Sequence, residues 1–244
     1  MSRGQPVEVS LPDGEVWGGP WRSVPLSGFA TSLPRPAAAA GRPTVVAVDG
    51  RSASGKTTLA ARLVAVLPDA TLVHTDDVAW WHGFFDWADL MRTGVLEPLR
   101  RGSGVRFVPP AWIAHADEPG GRPVTWPDGI VVPPSARAVV VEGVGATRRE
   151  LADLVDVAIW VQADEEARAA REAARVAAGE VTSDFVDGWQ REELPFLADQ
   201  RPWDRADHVV ASTPGRLTAG IRPTHLDDVL VGAPPRARAE RWPP

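Results

Sequence analysis

A short segment of the sequence has the residue types and the spacing of a phosphate-binding loop. It runs from Gly50 to Thr57 and follows the pattern G-x-x-x-x-G-K-[ST]. In such a loop, successive backbone N–H groups surround phosphate oxygens, the lysine reaches the β- and γ-phosphates, and the final hydroxyl binds Mg²⁺. The segment therefore predicts a site for a nucleoside triphosphate. The residues expected to bind it are Gly50, Ser52, Ala53, Ser54, Gly55, Lys56, Thr57 and Thr58.

Lys56 supports this interpretation because it is the only lysine in the chain. The sequence contains 26 Lys and Arg residues, and all but this one are arginine. A compact ammonium group contacts an anion differently from a planar guanidinium. We therefore expect Lys56 to stabilise phosphate charge as a catalytic residue.

Strands and helices alternate around this loop. Residues 44–48 form a short, β-branched apolar run before the loop, which is typical of a buried parallel strand. Helices are predicted over residues 56–67 and 164–178. Further strands are predicted at residues 71–74, 138–141, 157–161 and 209–210. The pattern predicts an α/β protein with the three-layer fold of P-loop NTPases, in which a five-stranded parallel sheet has helices on both faces.

Three parts of the chain depart from this alternation. Residues 1–43 are rich in Pro, Gly and Ala, and we interpret them as an N-terminal extension with a hairpin around Pro12-Asp13-Gly14 and a linker. Residues 100–137 are dense in Pro and Gly and are interpreted as an insertion on the substrate side, with a hairpin near Pro127-Asp128-Gly129. Residues 214–244 are interpreted as a Pro- and Arg-rich C-terminal tail.

The composition excludes several classes of protein and of site. The 244 residues have a formal net charge of −6 and no basic block, so nucleic-acid binding is not expected. No apolar run approaches the roughly 20 residues that span a bilayer, and the first residues lack the apolar stretch of a secretory leader. We expect a cytoplasmic protein without a membrane partner. The absence of cysteine excludes thiolate metal sites and cysteine nucleophiles.

Two other features narrow the class of phosphate-loop protein. The chain contains no asparagine, so it lacks the Asn-Lys-x-Asp motif with which GTPases read guanine. The apolar run at residues 139–141 ends in Glu142-Gly143, whereas ABC and AAA+ ATPases normally have an Asp there and a larger domain. Among the classes of phosphate-loop protein considered, small-molecule kinases are the one that these features do not exclude.

The order of the motifs resembles that of the uridine kinase-like group of P-loop kinases, which is related to phosphoribulokinase and bacterial pantothenate kinase. The resemblance lies in the loop from Gly50 to Thr58, in Asp76-Asp77 after the second predicted strand, and in Val141-Glu142-Gly143. It continues into the next strand and an arginine-bearing helix. It implies a kinase domain over residues 44–213 that uses ATP and Mg²⁺ to phosphorylate a hydroxyl group of a small molecule, with uridine or a related nucleoside as the usual acceptor.

Three carboxylates follow the predicted strands. Asp76 and Asp77 come after the second strand, at the sheet edge where parallel α/β proteins bind ligands. The family's catalytic aspartate lies in this pair, and we favour Asp76 as the base and a Mg²⁺ ligand, with Asp77 as a helix cap or an alternative base. Glu142 is expected to bind Mg²⁺, through metal-bound water, or a cation. The alternatives are that both aspartates only cap a helix and that Glu142 is an ordinary residue at a loop edge.

Three arginines are expected to close over the triphosphate. Arg168, Arg171 and Arg175 are spaced by three and four residues, which places them near one helix face. We expect Arg168 and Arg171 to act in catalysis and Arg175 to bind the nucleotide. Acidic residues share this helix, so a solvated surface face is the alternative interpretation.

An acceptor pocket is expected among aromatic residues. Trp80 and Trp81 lie in a segment too rich in rings for one buried helix face, so some rings are expected to line the pocket. Trp112 and His115 lie where the family has its substrate-binding segment, which normally holds a Tyr-Asp pair. Pro110-Ala111 replaces that pair, so uridine and cytidine are expected to be poor acceptors. Core packing is the alternative for the rings, and a surface or core position is the alternative for His115.

The sequence thus predicts a small-molecule kinase, a phosphotransferase with an alcohol acceptor. Two alternatives stay open. One is a kinase that modifies another metabolite or an antibiotic, which the altered segment at Pro110-Ala111 permits. The other is a nucleotide-binding regulatory module without acceptor turnover. The sequence is compatible with a homo-oligomer and does not define the oligomeric state.

Overall fold

A central β-sheet organises the part of the chain that the structure describes. The computed structural model describes residues 11–12, 14–35, 41–119, 129–212, 218 and 220–232. The strands in these ranges are β1 (Arg22–Pro25), β2 (Thr44–Gly50), β3 (Ala70–His74), β4 (Val105–Phe107), β5 (Ile130–Val132), β6 (Ala138–Glu142), β7 (Val157–Gln162), β8 (His208–Ala211) and β9 (Asp228–Val231).

The central sheet has seven strands within the described ranges, in the order β1-β9-β8-β7-β2-β6-β3. The five strands from β8 to β3 are parallel to their neighbours, and they are the five strands that the sequence predicts. The prediction of a five-stranded sheet is wrong in its strand count, because β9 and β1 extend the sheet as antiparallel strands. Each has four residues and lies in a Pro- and Gly-rich part of the sequence, so it is too short to give a clear periodic pattern.

Helices occupy most of the connections between the strands. The α-helices in the described ranges are α1 (Leu26–Ser32), α2 (Lys56–Val66), α3 (Thr75–Ala79), α4 (Ala88–Met91), α5 (Glu97–Arg100), α6 (Pro110–Ala114), α7 (Glu165–Ala177), α8 (Ser183–Gln200) and α9 (Pro202–Arg205). A π-helical turn joins α4 to α5. None of the helices described combines the length and the apolar character that a membrane crossing requires.

Apolar layers cover both faces of the sheet. Because successive side chains of a strand point to opposite faces, alternate residues of β2 belong to different layers. Val45 and Ala47 pack with one group of buried side chains, which includes Trp87, Met91 and Trp112. Val46 and Val48 pack with another group, which includes Phe29, Leu59 and Leu63. The predicted arrangement of helices on both faces of the sheet is therefore confirmed.

A small antiparallel pair lies within the predicted insertion of residues 100–137. Val105 of β4 is opposite Val132 of β5, and α6 follows β4 along the chain. Residues 120–128 are outside the described ranges, so all but Gly129 of the predicted Pro127-Asp128-Gly129 turn falls there. Residues 1–10, which contain most of the first arm of the hairpin predicted around Pro12, also lie outside the described ranges, as do the C-terminal residues 233–244.

Candidate active site

The predicted phosphate-site residues gather at the edge of the sheet where the parallel strands end. β2 ends at Gly50, β3 at His74 and β6 at Glu142. β6 lies between the other two strands, and Glu142 is opposite both Val48 and His74 in the register. The carboxyl ends of parallel strands form the usual ligand-binding edge of an α/β sheet. The phosphate loop, the start of α3 and Glu142 are therefore neighbours.

The phosphate loop has two residues with left-handed backbone. Ala53 has a φ of 56° and Gly55 a φ of 94°. Gly50 has no room for a side chain, since an added Cβ would lie 2.5 Å from Ser54 Oγ and 2.8 Å from the Val161 carbonyl oxygen. The loop leads directly into α2, an eleven-residue helix whose N-terminus provides N–H groups and a positive dipole end. This backbone is suited to binding an anion.

Asp49 fixes the start of the loop. Its carboxylate is fully buried and accepts hydrogen bonds from the backbone N–H groups of Gly50, Gly145 and Thr147 at 2.8–2.9 Å and from the Thr147 hydroxyl at 2.7 Å. Burial raises the pKa of Asp49, and these hydrogen bonds partly offset that effect. The carboxylate therefore ties the phosphate loop to the segment that follows Glu142.

Glu142 joins the phosphate loop to β3. Its Oε2 accepts a hydrogen bond from the Thr57 hydroxyl at 3.2 Å, and its Oε1 lies 2.5 Å from His74 Nδ1. Glu142 is only 4% exposed. The hydrogen bond with Glu142 raises the pKa of His74, although burial of the imidazole acts in the opposite direction. Glu142 is thus a buried, partnered carboxylate at the predicted magnesium site.

Thr57 and Glu142 are suitable ligands for Mg²⁺. Both provide oxygen atoms, which this ion prefers, and it commonly binds one or two protein groups together with phosphate oxygens and water. Among the described residues, no group of three or more His, Cys, Asp or Glu side chains is arranged to hold a metal ion. The residues present therefore fit a magnesium ion that is bound mainly through phosphate, and they do not fit a site made of protein ligands alone.

Asp76 and Asp77 occupy the first turn of α3 and have different surroundings. Asp76 keeps contact with solvent, but the protein packed around it removes part of the hydration of its carboxylate and raises its pKa. Lys56 acts in the opposite direction through its positive charge. Asp77 is 5% exposed, and its backbone carbonyl accepts a hydrogen bond from Trp112 Nε1 at 3.0 Å. Asp76 is therefore the more accessible carboxylate near Lys56.

The three arginines of α7 do not form one group. Arg168 is 3% exposed, and its guanidinium pairs with Glu165 and Glu172 at 2.7 Å each. Arg171 donates from Nε to the carbonyl oxygen of Ala53 at 2.7 Å. Burial lowers the pKa of Arg171, and the charge of Arg168 lowers it further. Both arginines therefore contact carbonyl groups of the phosphate loop, since an Arg168 nitrogen lies 3.5 Å from the Ser52 carbonyl oxygen, but the charge of Arg168 is also neutralised by carboxylates.

Arg175 lies at the surface, where its Nε donates to Glu180 at 3.3 Å. Its side chain is 44% exposed, and the contacts in the described part of the structure do not join it to the phosphate loop. Arg175 is therefore apart from Arg168 and Arg171 in this arrangement, and the closure of all three arginines over the triphosphate stays a prediction. The solvated-face alternative describes Arg175 better.

A small cavity lies beside the phosphate loop on the side of β8. Its volume is about 250 Å³, and its lining includes Gly55, Thr58, Arg171 and Ser212. The Arg171 guanidinium also lies 3.4 Å from the Ser212 hydroxyl. The cavity offers polar side chains close to the start of α2.

The aromatic residues predicted to line an acceptor pocket have two kinds of environment. Trp80 and Trp81 are 38% and 46% exposed, and the Trp81 ring stacks on His115 with centroids 4.4 Å apart. His115 Nδ1 also lies 2.8 Å from Glu118 Oε1. Trp112 is fully buried in the core. Its ring has no face for a ligand, so core packing is the interpretation that applies to Trp112.

Two carboxylates that accept hydrogen bonds from the backbone of the phosphate loop, Asp49 and Glu193, were not predicted from the sequence. Asp49 is a charged residue inside an otherwise apolar strand, and that position was a usable signal of a buried, hydrogen-bonded group. Glu193 lies in α8, and its Oε1 accepts a hydrogen bond from the Ser52 N–H group at 2.6 Å. It follows another glutamate in a helix with many polar residues, so its type and position gave no signal.

Comparison with known proteins gives similarity in structure only. No protein-family model matches the chain, and no curated protein matches its sequence. A solved structure described as a possible uridine kinase from Bacillus stearothermophilus is similar with a TM-score of 0.49 and 17% identity, covering 75% of this chain and 94% of that one. A "putative fructose transport system kinase" from a Silicibacter species is similar with a TM-score of 0.48 and 19% identity, covering 75% and 95%. Similarity at this level does not indicate a substrate or a reaction.

Proposed function

We propose that the protein is an ATP- and Mg²⁺-dependent kinase that transfers a phosphoryl group to a hydroxyl group of a small molecule. The observation that carries this proposal is the grouping of the phosphate loop, the Thr57–Glu142 hydrogen bond and Asp76 at one edge of the parallel sheet. A phosphoryl-transfer enzyme needs a phosphate cradle, groups that hold Mg²⁺ and a carboxylate near the acceptor. These residues can supply all three.

On the nucleotide side, the phosphate loop binds the triphosphate. Its backbone N–H groups and the N-terminus of α2 surround the phosphate oxygens, and Lys56 balances their charge. Thr57 and Glu142 hold Mg²⁺, which supplies charge neutralisation of the triphosphate when it is bound. The cavity of about 250 Å³ beside Thr58 and Arg171 is the proposed position of the nucleoside part of ATP.

On the acceptor side, Asp76 is the proposed base. Its carboxylate takes the proton from the acceptor hydroxyl while the oxygen of that hydroxyl forms a bond to the γ-phosphorus of ATP. The bond from that phosphorus to the bridging oxygen breaks, and ADP leaves. Lys56 stabilises the charge that develops on the phosphoryl oxygens. Trp80 and Trp81 are partly exposed after α3 and are the proposed contacts for the body of the acceptor.

Two other functions are compatible with the same site. The first is a kinase that acts on another metabolite or on an antibiotic. Pro110-Ala111 at the start of α6 favours this function, because the carboxylate that would bind the sugar of a nucleoside is missing there. A regulatory module would bind nucleotide without turning over an acceptor. Its phosphate loop would look the same.

A screen of ATP consumption separates these functions. The purified full chain is incubated with ATP·Mg²⁺ and with nucleosides, vitamins, sugars and aminoglycoside-like alcohols, and ADP release is measured for each. A kinase releases ADP in an acceptor-dependent way, and the Lys56→Ala variant does not. ATP binding without acceptor-stimulated release would support the regulatory module. The absence of both binding and turnover would contradict the proposed function.

A further inference from the structure

Glu193 is a buried carboxylate in contact with the phosphate loop. It lies in α8, which is distant from the loop in sequence, and its side chain is fully buried. Its Oε1 accepts a hydrogen bond from the Ser52 N–H group at 2.6 Å, and its Oε2 lies 3.8 Å from Arg51 Nε. Burying a carboxylate is costly unless it has polar partners. Both partners of Glu193 belong to the loop.

Two arginines of α7 hold the same part of the loop by contacting the carbonyl groups of the loop. The Ser52 carbonyl oxygen lies 3.5 Å from an Arg168 guanidinium nitrogen, and the Ala53 carbonyl oxygen accepts from Arg171 Nε at 2.7 Å. Arg51 in turn pairs with Glu165 at 2.8 Å. Residues 51–53 are therefore held by two arginines at their carbonyl groups and by one carboxylate at an N–H group.

We infer that Glu193 is a positioning residue that holds residues 51–53 of the phosphate loop in the conformation that binds ATP. This inference depends on the proposed function, because it assumes that the loop binds a nucleotide. Glu193 acts through the Ser52 N–H group and Arg51 and does not touch the transferred phosphoryl group. Its role is distinct from those of Lys56, Thr57 and Asp76.

The backbone of the loop explains why such a contact is needed. Ala53 has a φ of 56°, a left-handed conformation that residues other than glycine rarely adopt without external contacts. Ser52, which precedes it, is fixed by Glu193 on its N–H side. Without that carboxylate, the Ser52 N–H group and the buried side chain of Arg51 each lose a partner. The loop can then relax to a shape in which its remaining N–H groups no longer converge on a phosphate.

Three variants of α8 separate this role from a general effect on stability. Glu193→Ala removes both contacts of the side chain. Glu193→Gln keeps an oxygen that can accept from Ser52 N–H but removes the charge that faces Arg51. Glu192→Ala is the matched control, because it removes the neighbouring carboxylate, which is exposed on the same helix.

The test measures the affinity of the full chain for ATP·Mg²⁺ and for ADP by calorimetry, together with the melting temperature of each variant. We expect Glu193→Ala to weaken ATP binding by about tenfold or more, since a charged hydrogen bond is lost. The ATP affinity of Glu193→Gln should lie between that of Glu193→Ala and that of the unmodified chain, with a loss of about threefold, because a neutral acceptor replaces a charged one. Glu192→Ala should match the unmodified chain. In turnover, the KM for ATP should rise more than kcat falls, and the KM for the acceptor should stay the same.

Equal ATP affinity in the unmodified chain and in folded Glu193→Ala would overturn this inference and leave the proposed function intact. If Glu193→Ala does not fold, the inference is tested with Glu193→Gln by the same measurements of ATP affinity and of the KM for ATP. An ATP affinity and a KM for ATP equal to those of the unmodified chain would then overturn the inference, since the charge of Glu193 would have no effect on the loop. Failure of the unmodified chain to bind ATP or ADP would overturn the proposed function and this inference with it.

Discussion

The Thr57 hydroxyl donates a hydrogen bond of 3.2 Å to the carboxylate of Glu142. Thr57 lies in the first turn of α2, and Glu142 is the last residue of β6. The contact therefore joins the helix after the phosphate loop to the neighbouring strand. The pair places two oxygen-bearing groups together beside the start of α2, next to the proposed triphosphate site. We therefore expect the negative charge of Glu142 to contribute more to Mg²⁺ binding than that of any other residue of the proposed site.

Glu142→Gln should increase the Mg²⁺ concentration needed for half-maximal activity by about tenfold or more, as removal of a metal-binding or metal-orienting group usually does. The amide keeps the shape of the side chain and an oxygen for the Thr57 hydroxyl but loses the negative charge. ADP release is measured across a Mg²⁺ titration at saturating ATP. Glu192→Gln, a change of an exposed carboxylate in α8, is the control. An unchanged Mg²⁺ requirement would remove Glu142 from the proposed magnesium site.

Lys56→Ala should abolish detectable turnover and weaken ATP binding, because the chain has no other lysine to provide the charge. Lys56→Arg should also be poor, since the planar guanidinium is bulkier than the ammonium group that the loop accommodates. Turnover and ATP affinity are measured for both variants, with Arg191→Ala in α8 as the control. Normal turnover in Lys56→Ala would contradict the assignment of the phosphate loop.

Asp76→Asn should lower kcat by about 10²-fold or more, which is the usual contribution of a general base, and should change ATP affinity much less. The amide has nearly the same shape as the carboxylate but cannot accept the proton. Steady-state kinetics and ATP calorimetry are compared with those of Asp77→Asn. If Asp77→Asn is the damaging change and Asp76→Asn is silent, the roles of the two residues are reversed.

Two of the strands that carry the site, β2 and β6, were predictable because they are buried on both faces. Continuous apolar runs such as residues 44–48 and 138–141 indicate buried parallel strands when helical patterns lie between them. The position of the loop between β2 and α2 was equally clear, because the spacing of its glycines and its lysine is that of phosphate-binding loops. Asp164, the first residue of the helix predicted over residues 164–178, is the cap of α7, where it accepts a hydrogen bond from the Ala167 N–H group at 3.3 Å.

Contacts between distant parts of the chain were not predictable from local pattern. The pairing of β1 with β9 brings together residues more than 200 positions apart, and neither strand has a distinctive composition. Arg168 has the spacing of a phosphate-binding residue, but its two carboxylate partners occupy its charge. Trp112 lies in the segment that the resemblance assigns to substrate binding, and only the packing of α6 on the core shows that it is buried. These features depend on tertiary structure.

Glu15 should make the stability of the protein depend on pH. Its Oε1 accepts hydrogen bonds from Trp160 Nε1 at 2.7 Å and Gln162 Nε2 at 2.8 Å. Burial raises the pKa of Glu15 above its ordinary value of 4.5. A raised pKa in the folded state means that folding favours the protonated form. The contribution of Glu15 to stability is therefore full below this ordinary value and is lost as the pH rises through the folded-state pKa.

Glu15→Gln should remove this dependence, because the amide does not titrate. Chemical unfolding of both proteins is followed at a series of pH values from about 4 to 8, the range that brackets a raised glutamate pKa. The free energy of unfolding of the unmodified chain should fall relative to that of Glu15→Gln as the pH rises. A constant difference between the two proteins over this range would contradict the assignment.

Uridine and cytidine should be poor acceptors or none at all. In the kinase group that the sequence motifs resemble, a Tyr-Asp pair is expected to bind the sugar, and in this chain Pro110-Ala111 begins α6 at that place. A carboxylate that accepts two sugar hydroxyls contributes charged hydrogen bonds of about 1.5 to 3 kcal/mol each, so its loss should weaken ribose binding at least tenfold. In an extended segment Asp117 would lie on the same side as His115 and could compensate in part. In the structure α6 continues to Ala114, and Asp117 lies in the turn that follows.

The acceptor should instead be less polar at the end that contacts the protein, and it should lie against Trp80 or Trp81, whose rings are partly exposed. Trp81→Ala should then raise the KM for the acceptor found in the screen and leave the KM for ATP unchanged, since the ring stacks on His115 and not on the phosphate loop. Trp17→Ala, a change of another partly exposed tryptophan at a different place in the chain, is the control. Efficient phosphorylation of uridine at micromolar KM would refute this prediction and favour the nucleoside acceptor that the sequence resemblance implies. Asp117→Asn would then be the next variant to measure.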